Sequence, residues 1–384
     1  MGQQLLITNC RLFDAADDIQ MVSILVEDGV IRQIGQIDAD AGFDILDAQR
    51  RIAAPGFIDV HIQGAGGADV LDGTEKALSA ISQTCARYGT TSFLATTVYN
   101  ANGDNEHLAL AAECTGRDLG GADLVGIHLE GPFISENKRG MIQPGCICEP
   151  SMEVLDKILE MTGGHLAMMT VAPEVEGSLE IIHRLADSNI VASFAHSEAD
   201  YEQTVAGIEA GISHVTHLFN AMSGIHHRSP GPLVAIFESE EITAQLIADG
   251  VHIHQSVLKF AFETLGPNRV ILITDGMQAM GLPDGKYIYN GVEYESKDGA
   301  ARYKDGTLIG TALGLSELLK RLISFTGCSL DVAVKTVTEN PAKVLGLVDR
   351  KGSIAVGKDA DLVLLDEDLS VGATIVGGKI VFGK

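Results

Sequence analysis

Basic residues are scarce in this chain: 27 Lys and Arg stand against 52 Asp and Glu in 384 residues, a formal charge of −25. Nucleic acid and anionic membrane surfaces attract basic faces, so neither is expected as the main partner. Cysteine is scarce as well, and six in the whole chain are too few for a disulfide scaffold. Cys146 and Cys148 form a C-x-C pair with no second pair at zinc-finger spacing, so ordinary loop or packing thiols are expected. No apolar run reaches the ~18 residues that a membrane-spanning helix needs. The opening residues, MGQQLLITNCRLF, lack a basic region followed by an apolar stretch. No signal peptide is therefore expected, and the cytoplasm is the expected compartment. Low-complexity stretches and disordered linkers are missing too.

What is present, 46% hydrophobic and 21% charged residues, fits a soluble globular protein. The length exceeds the ~250 residues of a bare (β/α)8 barrel and leaves room for a smaller second unit. A chain of this size buries roughly three-quarters of its unfolded surface and needs no staples.

Both ends read as short strands. Residues 21–26 are apolar, Glu27-Asp28-Gly29 is a turn, and 30–34 resume the strand pattern. Near the other end, 361–365 is an apolar strand, and 374–376 turns at Gly377-Gly378 into 379–382. Neither end has enough strands for a stable sheet alone, so residues 1–54 and 341–384 are expected to join in one small β-sandwich domain. Between them, eight short apolar runs alternate with helix-like stretches: 57–61, 91–97, 124–130, 166–171, 190–196, 212–217, 243–249 and 270–275. Near-continuous apolar strands alternating with helices predict a (β/α)8 TIM-like barrel over residues 55–340. The segment 283–308, rich in Gly, Tyr and Asp, reads as an inserted hairpin before a last helix near 313–325.

Ionisable residues fall at the carboxyl ends of these runs: His61, Glu130, His196, His217, Asp249 with nearby His252, and Asp275. Barrel active sites are built on that rim from the ends of different strands. Glu130, His196 and His217 come from separate strands and offer three N/O donors, which suits a catalytic divalent metal with one position left for water. Water on zinc ionises near about pH 7. Asp275 is then the expected proton shuttle; a helix N-cap is its competing role, because Gly276 and a turn follow.

These residues sit in motifs that resemble the amidohydrolases, and within them the N-acetylglucosamine-6-phosphate deacetylases. PGFIDVHIQG at 55–64, HLEGPF at 128–133, AHS at 195–197, THLFNAM at 216–222, HHRSPG at 226–231, DGVHI at 249–253 and ITDGMQAMGLPDG at 273–285 follow in the family's order. ENPAKVLGL at 339–347 and KGSIAVGKDADLVLLD at 351–366 are similar to its C-terminal signature. The resemblance implies metal ligation by Glu130, His196 and His217, and general base and acid work by Asp275. It implies that His252 contacts the scissile carbonyl and sugar, and that Asn220 and Ala221 bind phosphate through backbone amides. Arg228 resembles a phosphate-binding arginine that reaches in from the neighbouring subunit of a homodimer. Gly310-Thr311-Ala312 occupies the place of a small-residue loop beside the sugar. The phosphate role of Arg228 has independent support, because a protein this acidic needs a local basic cluster to hold an anion, and His226-His227-Arg228 is one. A solvated surface loop is the alternative reading of that triplet.

Two positions depart from the family pattern. Where many relatives carry H-x-H, this chain reads His61-Ile62-Gln63, and a neutral amide is a poor zinc ligand. One ion is therefore expected, zinc first, with iron, manganese or cobalt compatible with the same ligands. His61 is either an extra weak ligand or a hydrogen-bonding neighbour. Ile142 stands where the family places a sugar-binding His, with Gln143 beside it as a substitute if the loop shifts. The implied reaction is metal-dependent hydrolysis of the acetamide of N-acetylglucosamine 6-phosphate. The galactosamine epimer is the nearest alternative, and a non-catalytic sugar-phosphate-binding paralogue a more distant one.

Overall fold

Eight strands, Phe57–Ile62, Thr90–Thr97, Asp123–Glu130, Leu166–Val171, Val191–Phe194, Ile212–Val215, Thr243–Leu246 and Val270–Leu272, pair in parallel and in chain order. The computed structural model describes residues 4–14, 21–38 and 42–383. Each strand is followed by a helix: Glu75–Arg87, Glu106–Cys114, Met152–Thr162, Ser178–Asp187, Tyr201–Ala210, Gly231–Glu238, Gln255–Leu265 and Leu315–Thr326. The first two strands are buried along their whole length, as parallel strands covered on both faces must be. Helix starts are marked by side-chain caps. Thr74 Oγ1 accepts from the Ala77 amide, and Asp200 forms a reciprocal capping box with Gln203.

The eighth strand meets the first at their carboxyl ends. The Asp275 amide donates to the His61 carbonyl at 2.9 Å and the Gln63 amide to the Gly276 carbonyl at 3.0 Å. The sheet thus curls into a (β/α)8 barrel, closed at the rim that carries the ionisable residues.

Strands from both ends of the chain form a β-sandwich. Gln4–Leu12 pairs with Val22–Glu27 and Asp44–Asp47 along its first half, then with Ile52–Pro55 at Arg11 and Leu12. Ile52–Pro55 continues to Leu362–Leu365, Val371–Val376 and Lys379–Gly383. Leu5, Ile7, Ile24 and Val26 from one layer share a buried core with Leu362, Leu364, Ala373 and Ile375 from the other. Buried Lys351 ties this unit to the barrel, pairing with Asp361 and Asp359 and, at 3.2 Å, with Asp123 at the start of the third barrel strand.

The expected hairpin at 283–308 is instead a four-stranded antiparallel sheet of Gly285–Tyr289, Val292–Lys297, Ala300–Tyr303 and Leu308–Thr311. Two tight turns fold it, Asn290-Gly291 and Asp298-Gly299, with all four residues at positive φ. Those dipeptides are the residue pairs that such turns require. Among the described residues no helix is long and apolar enough to cross a membrane.

Candidate active site

The apolar pattern predicts strands running through His196, His217 and Asp275, but the ladders end earlier, at Phe194, Val215 and Leu272. Each of the three residues lies just beyond its strand in left-handed backbone, with φ of 48°, 31° and 50°. Non-glycine residues held there carry strain of about 1–3 kcal/mol each. Glu130 is the last residue of its strand.

The result is a tight convergence. Glu130 Oε1 lies 2.9 Å from His196 Nε2 and 2.9 Å from His217 Nε2, and the two nitrogens are 3.1 Å apart. All three residues are buried. His196 Nδ1 donates to the Lys138 carbonyl at 2.8 Å, which leaves its Nε2 as the lone-pair atom facing the carboxylate. Two imidazole nitrogens and a carboxylate oxygen converging at this spacing are a set that could hold a divalent ion. Burial alone would raise the Glu130 carboxyl, but His61, His196 and His217 outweigh it and hold it well below the usual carboxylate range.

Asp275 faces this cluster. Its Oδ1 accepts from Gln63 Nε2 at 3.1 Å, and its Oδ2 lies 3.8 Å from His252 Nε2. Burial pushes the Asp275 carboxyl up, against the pull of His217 and His252. Gln63 Nε2 also lies 3.0 Å from His61 Nε2 and 3.4 Å from Glu130 Oε2. His61 donates from Nδ1 to Gln245 Oε1 at 3.1 Å, so its Nε2 takes the Gln63 amide as a hydrogen-bonding neighbour. His252 Nδ1 lies 2.6 Å from Asp249 Oδ2.

Glu130, His196, His217, His252 and Asp275 line a cavity of about 240 Å³ together with Asn220, Ala221, Met141 and Leu308. A larger groove, about 620 Å³, runs along the inserted strands and is lined by side chains of both signs, among them Lys286, Glu293, Glu295, Lys297 and Arg302. No histidine lines it, so the smaller cavity is the candidate site. The turn through Asn220 and Ala221 is sharply bent, with His217, Phe219 and Ala221 all at positive φ. The Asn220 amide is already committed to the His217 carbonyl at 2.9 Å.

Three residues expected at the substrate, Arg228, Thr311 and Ala312, are not among those lining this cavity. Arg228 stands in an exposed loop with Nη1 2.8 Å from His227 Nε2, outside the cavity lining. Thr311 is buried; its Oγ1 donates to the Thr274 carbonyl and its amide to the Asp275 carbonyl, while Ala312 packs against the insertion core. Gly310 has no room for a side chain, since a Cβ would meet the Asp275 carbonyl oxygen at 2.4 Å. Ile142 is buried with Val98, Ile134 and Cys146. Gln143 donates to the Met141 carbonyl at 3.2 Å rather than entering the cavity.

Supporting residues escaped the periodicity. Gln245 Oε1 accepts from both His61 Nδ1 and the His217 amide. His128 donates from Nδ1 to the Val60 carbonyl and lies edge-on to His61, and burial pushes its pKa down to about 4. Asp59 accepts from Thr274. A polar residue inside an apolar strand, two positions from a site residue and so on the same face, is the signal that could have found Asp59.

A cluster that could hold a metal ion, with a facing carboxylate at the carboxyl rim of a (β/α)8 barrel, points to the class: a barrel hydrolase. A family model described as the amidohydrolase family matches residues 52–381. N-acetylglucosamine-6-phosphate deacetylase of Bacillus subtilis (strain 168) is 38% identical, covering 100% of this chain and 98% of that protein. N-acetylgalactosamine-6-phosphate deacetylase of Escherichia coli O157:H7 is 33% identical, covering 92% and 93% respectively. A solved structure of a mutant N-acetyl-D-glucosamine-6-phosphate deacetylase from Mycobacterium smegmatis, in complex with N-acetyl-D-glucosamine-6-phosphate, is similar at a TM-score of 0.90. It is 31% identical and the match covers 99% of this chain and 100% of that one. The chain belongs to the amidohydrolase family, and within it to the N-acetylglucosamine-6-phosphate deacetylases.

Proposed function

We infer that the protein hydrolyses the acetamide of N-acetyl-D-glucosamine 6-phosphate, releasing acetate and D-glucosamine 6-phosphate. The observation that carries this is Glu130 Oε1 set 2.9 Å from both imidazole nitrogens, in a chain whose full-length relatives are named for that reaction. Glu130, His196 and His217 hold one divalent ion, with zinc the first candidate and iron, manganese or cobalt served by the same donors. Such an ion supplies Lewis acidity, acidifying water and polarising a carbonyl.

Asp275 takes the proton of the attacking water and returns it to the departing amine. His252 Nε2 donates to the oxyanion that develops on the acetamide. Asn220 and Ala221 seat the phosphate, and Arg228 of the partner subunit completes that seat in a homodimer. Thr311 and Ala312 back the sugar from behind the lining residues Leu308 and Ile309. The ion-pairing, base and substrate roles all belong to a catalytic barrel of residues 55–340, beside a β domain of 1–54 and 341–384, working in the cytoplasm.

The second reading changes only the sugar. It rests on the 33% identical Escherichia coli relative named for the galactosamine epimer and on Ile142, which leaves one sugar contact of the family unfilled. Acetate release from both epimers, with and without the 6-phosphate, in protein loaded with defined metals, tests both. The inference fails if a phosphate-free amide is turned over as fast as either phosphorylated sugar.

A further inference from the structure

Asp249 has no part in the reaction as drawn above, yet it is buried, at 3% exposure, one short turn from the cavity. Its carboxylate is fully engaged. Oδ1 accepts from the amides of Val251 and His252, each at 2.8 Å, and Oδ2 faces His252 Nδ1 at 2.6 Å. Its carbonyl accepts from Arg321 Nη1, on the helix Leu315–Thr326, at 2.6 Å. The loop is thus pinned from two sides, and the imidazole has one partner on its inner nitrogen. Nε2 is left pointing at the cavity, 3.8 Å from Asp275 Oδ2.

We propose that Asp249 is a positioning residue for the reaction: it fixes the ring orientation of His252 with Nδ1–H committed to Oδ2, so that Nε2 alone addresses the substrate carbonyl. The inference rests on the role given to His252 above. A ring whose Nδ1 is already protonated can donate from Nε2 only while it carries charge, and a carboxylate on the far nitrogen stabilises that charge. Asp275 adds a second carboxylate on the cavity side. Arg321 opposes both, but it reaches the backbone of Asp249 and not the ring. Burial would raise the Asp249 carboxyl, yet His252 and the two amides outweigh it and hold it below the usual carboxylate range.

Asp249→Asn separates the orienting contact from the loop. The amide oxygen retains both backbone bonds, while the NH2 group turns a donor toward His252 Nδ1. Nitrogen-15 spectra of the zinc-loaded protein without substrate read the ring directly. The expected result is a protonated Nδ1 in the native protein and an unprotonated Nδ1 in Asp249→Asn. In turnover, Asp249→Asn is expected to lower kcat about 100-fold, the range of a lost oxyanion donor, with KM changed less than threefold. The double variant with His252→Asn should fall no further than His252→Asn alone. Asp249→Glu, which keeps the carboxylate, should recover part of the rate.

An unprotonated Nδ1 in the native protein overturns the proposal whatever the variants do, and so do additive losses in the double variant. If no acetylated sugar phosphate is turned over but the native and variant spectra differ as expected, the function assigned above fails while the Asp249–His252 relationship stands.

Discussion

Thr274 Oγ1 donates to Asp59 Oδ2 at 2.6 Å, joining the segment just past the eighth barrel strand to the first strand. The seam between these strands has few ladder bonds, so this side-chain bond supplements it. The same hydroxyl accepts from the Gly276 amide at 3.1 Å, and Asp59 Oδ1 is 3.3 Å from the His61 amide. Closure of the barrel and placement of Asp275 and His61 therefore share one pair of residues. Burial pushes the Asp59 carboxyl up to about 7 against the bonds from Thr274 and His61.

Thr274→Val keeps the shape and deletes the hydroxyl. A buried carboxyl group then loses its shortest hydrogen-bond partner, which costs about 1–3 kcal/mol. Urea unfolding at neutral pH should show a lower midpoint at unchanged slope. Metal content should stay near that of the native protein, because Glu130, His196 and His217 are held from other strands. An unaltered midpoint would remove Asp59–Thr274 from any part in closing the seam.

Asp69 offers a pH dependence away from the ion cluster. Burial raises its carboxyl to about 8, with the Leu71 amide pulling it down and Asp72 adding to the rise. Its Oδ2 has no hydrogen-bond partner. The folded pKa lies above the unfolded value near 4, so the folded state keeps a proton that the unfolded state releases. This group's contribution to stability is therefore greatest below about pH 4, is lost progressively up to about pH 8, and is flat beyond. Asn caps a helix as well as Asp does, so Asp69→Asn should remove the dependence. Relative to the native protein the variant should gain stability, on the order of a few kcal/mol, between about pH 4 and about pH 8. Unfolding curves for both proteins across that range give the difference, and a pH-independent difference would contradict the assignment.

Glu130 and Asp275 should separate binding from chemistry. Glu130→Gln removes the charge that faces both imidazoles and should leave little metal bound after dialysis. Asp275→Asn should keep the metal and lower kcat by roughly 10²–10⁴-fold, the usual scale of a lost acid–base group. Metal analysis beside single-turnover acetate release checks both. Retained turnover in Asp275→Asn would count against a proton shuttle at that position.

The barrel was legible because its strands are apolar on both faces, and Glu130, His196 and His217 stood out as polar residues where those runs end. The exact ends were not legible. His196, His217 and Asp275 are reached by a flip into left-handed backbone, which local periodicity does not record and which only the surrounding fold can hold in place. Gln245 and His128 were hidden for a related reason: their partners lie on other strands, far away in sequence. The four inserted strands were the opposite case, since Asn290-Gly291 and Asp298-Gly299 are strong turn signals that a single hairpin leaves unused.

Arg228 lies outside the cavity lining of its own chain, with its guanidinium against His227. If the phosphate is met by Arg228 of the partner subunit, two kinds of damage should complement each other. Arg228→Ala should raise KM for the phosphorylated sugar far more than for the unphosphorylated one, because the lost fork pairs with phosphate alone. Glu130→Gln should abolish turnover in its own chain but still present a native Arg228 across the interface. Mixing the two variants and letting subunits exchange creates hybrid dimers in which one site has intact chemistry and an intact arginine. With random pairing, half the dimers are hybrids and half of their sites are competent, so about a quarter of native activity should return at low substrate. A mixture no more active than the sum of its parents, once exchange has been verified by mass-labelled chains, would place Arg228 in its own subunit's site or in none.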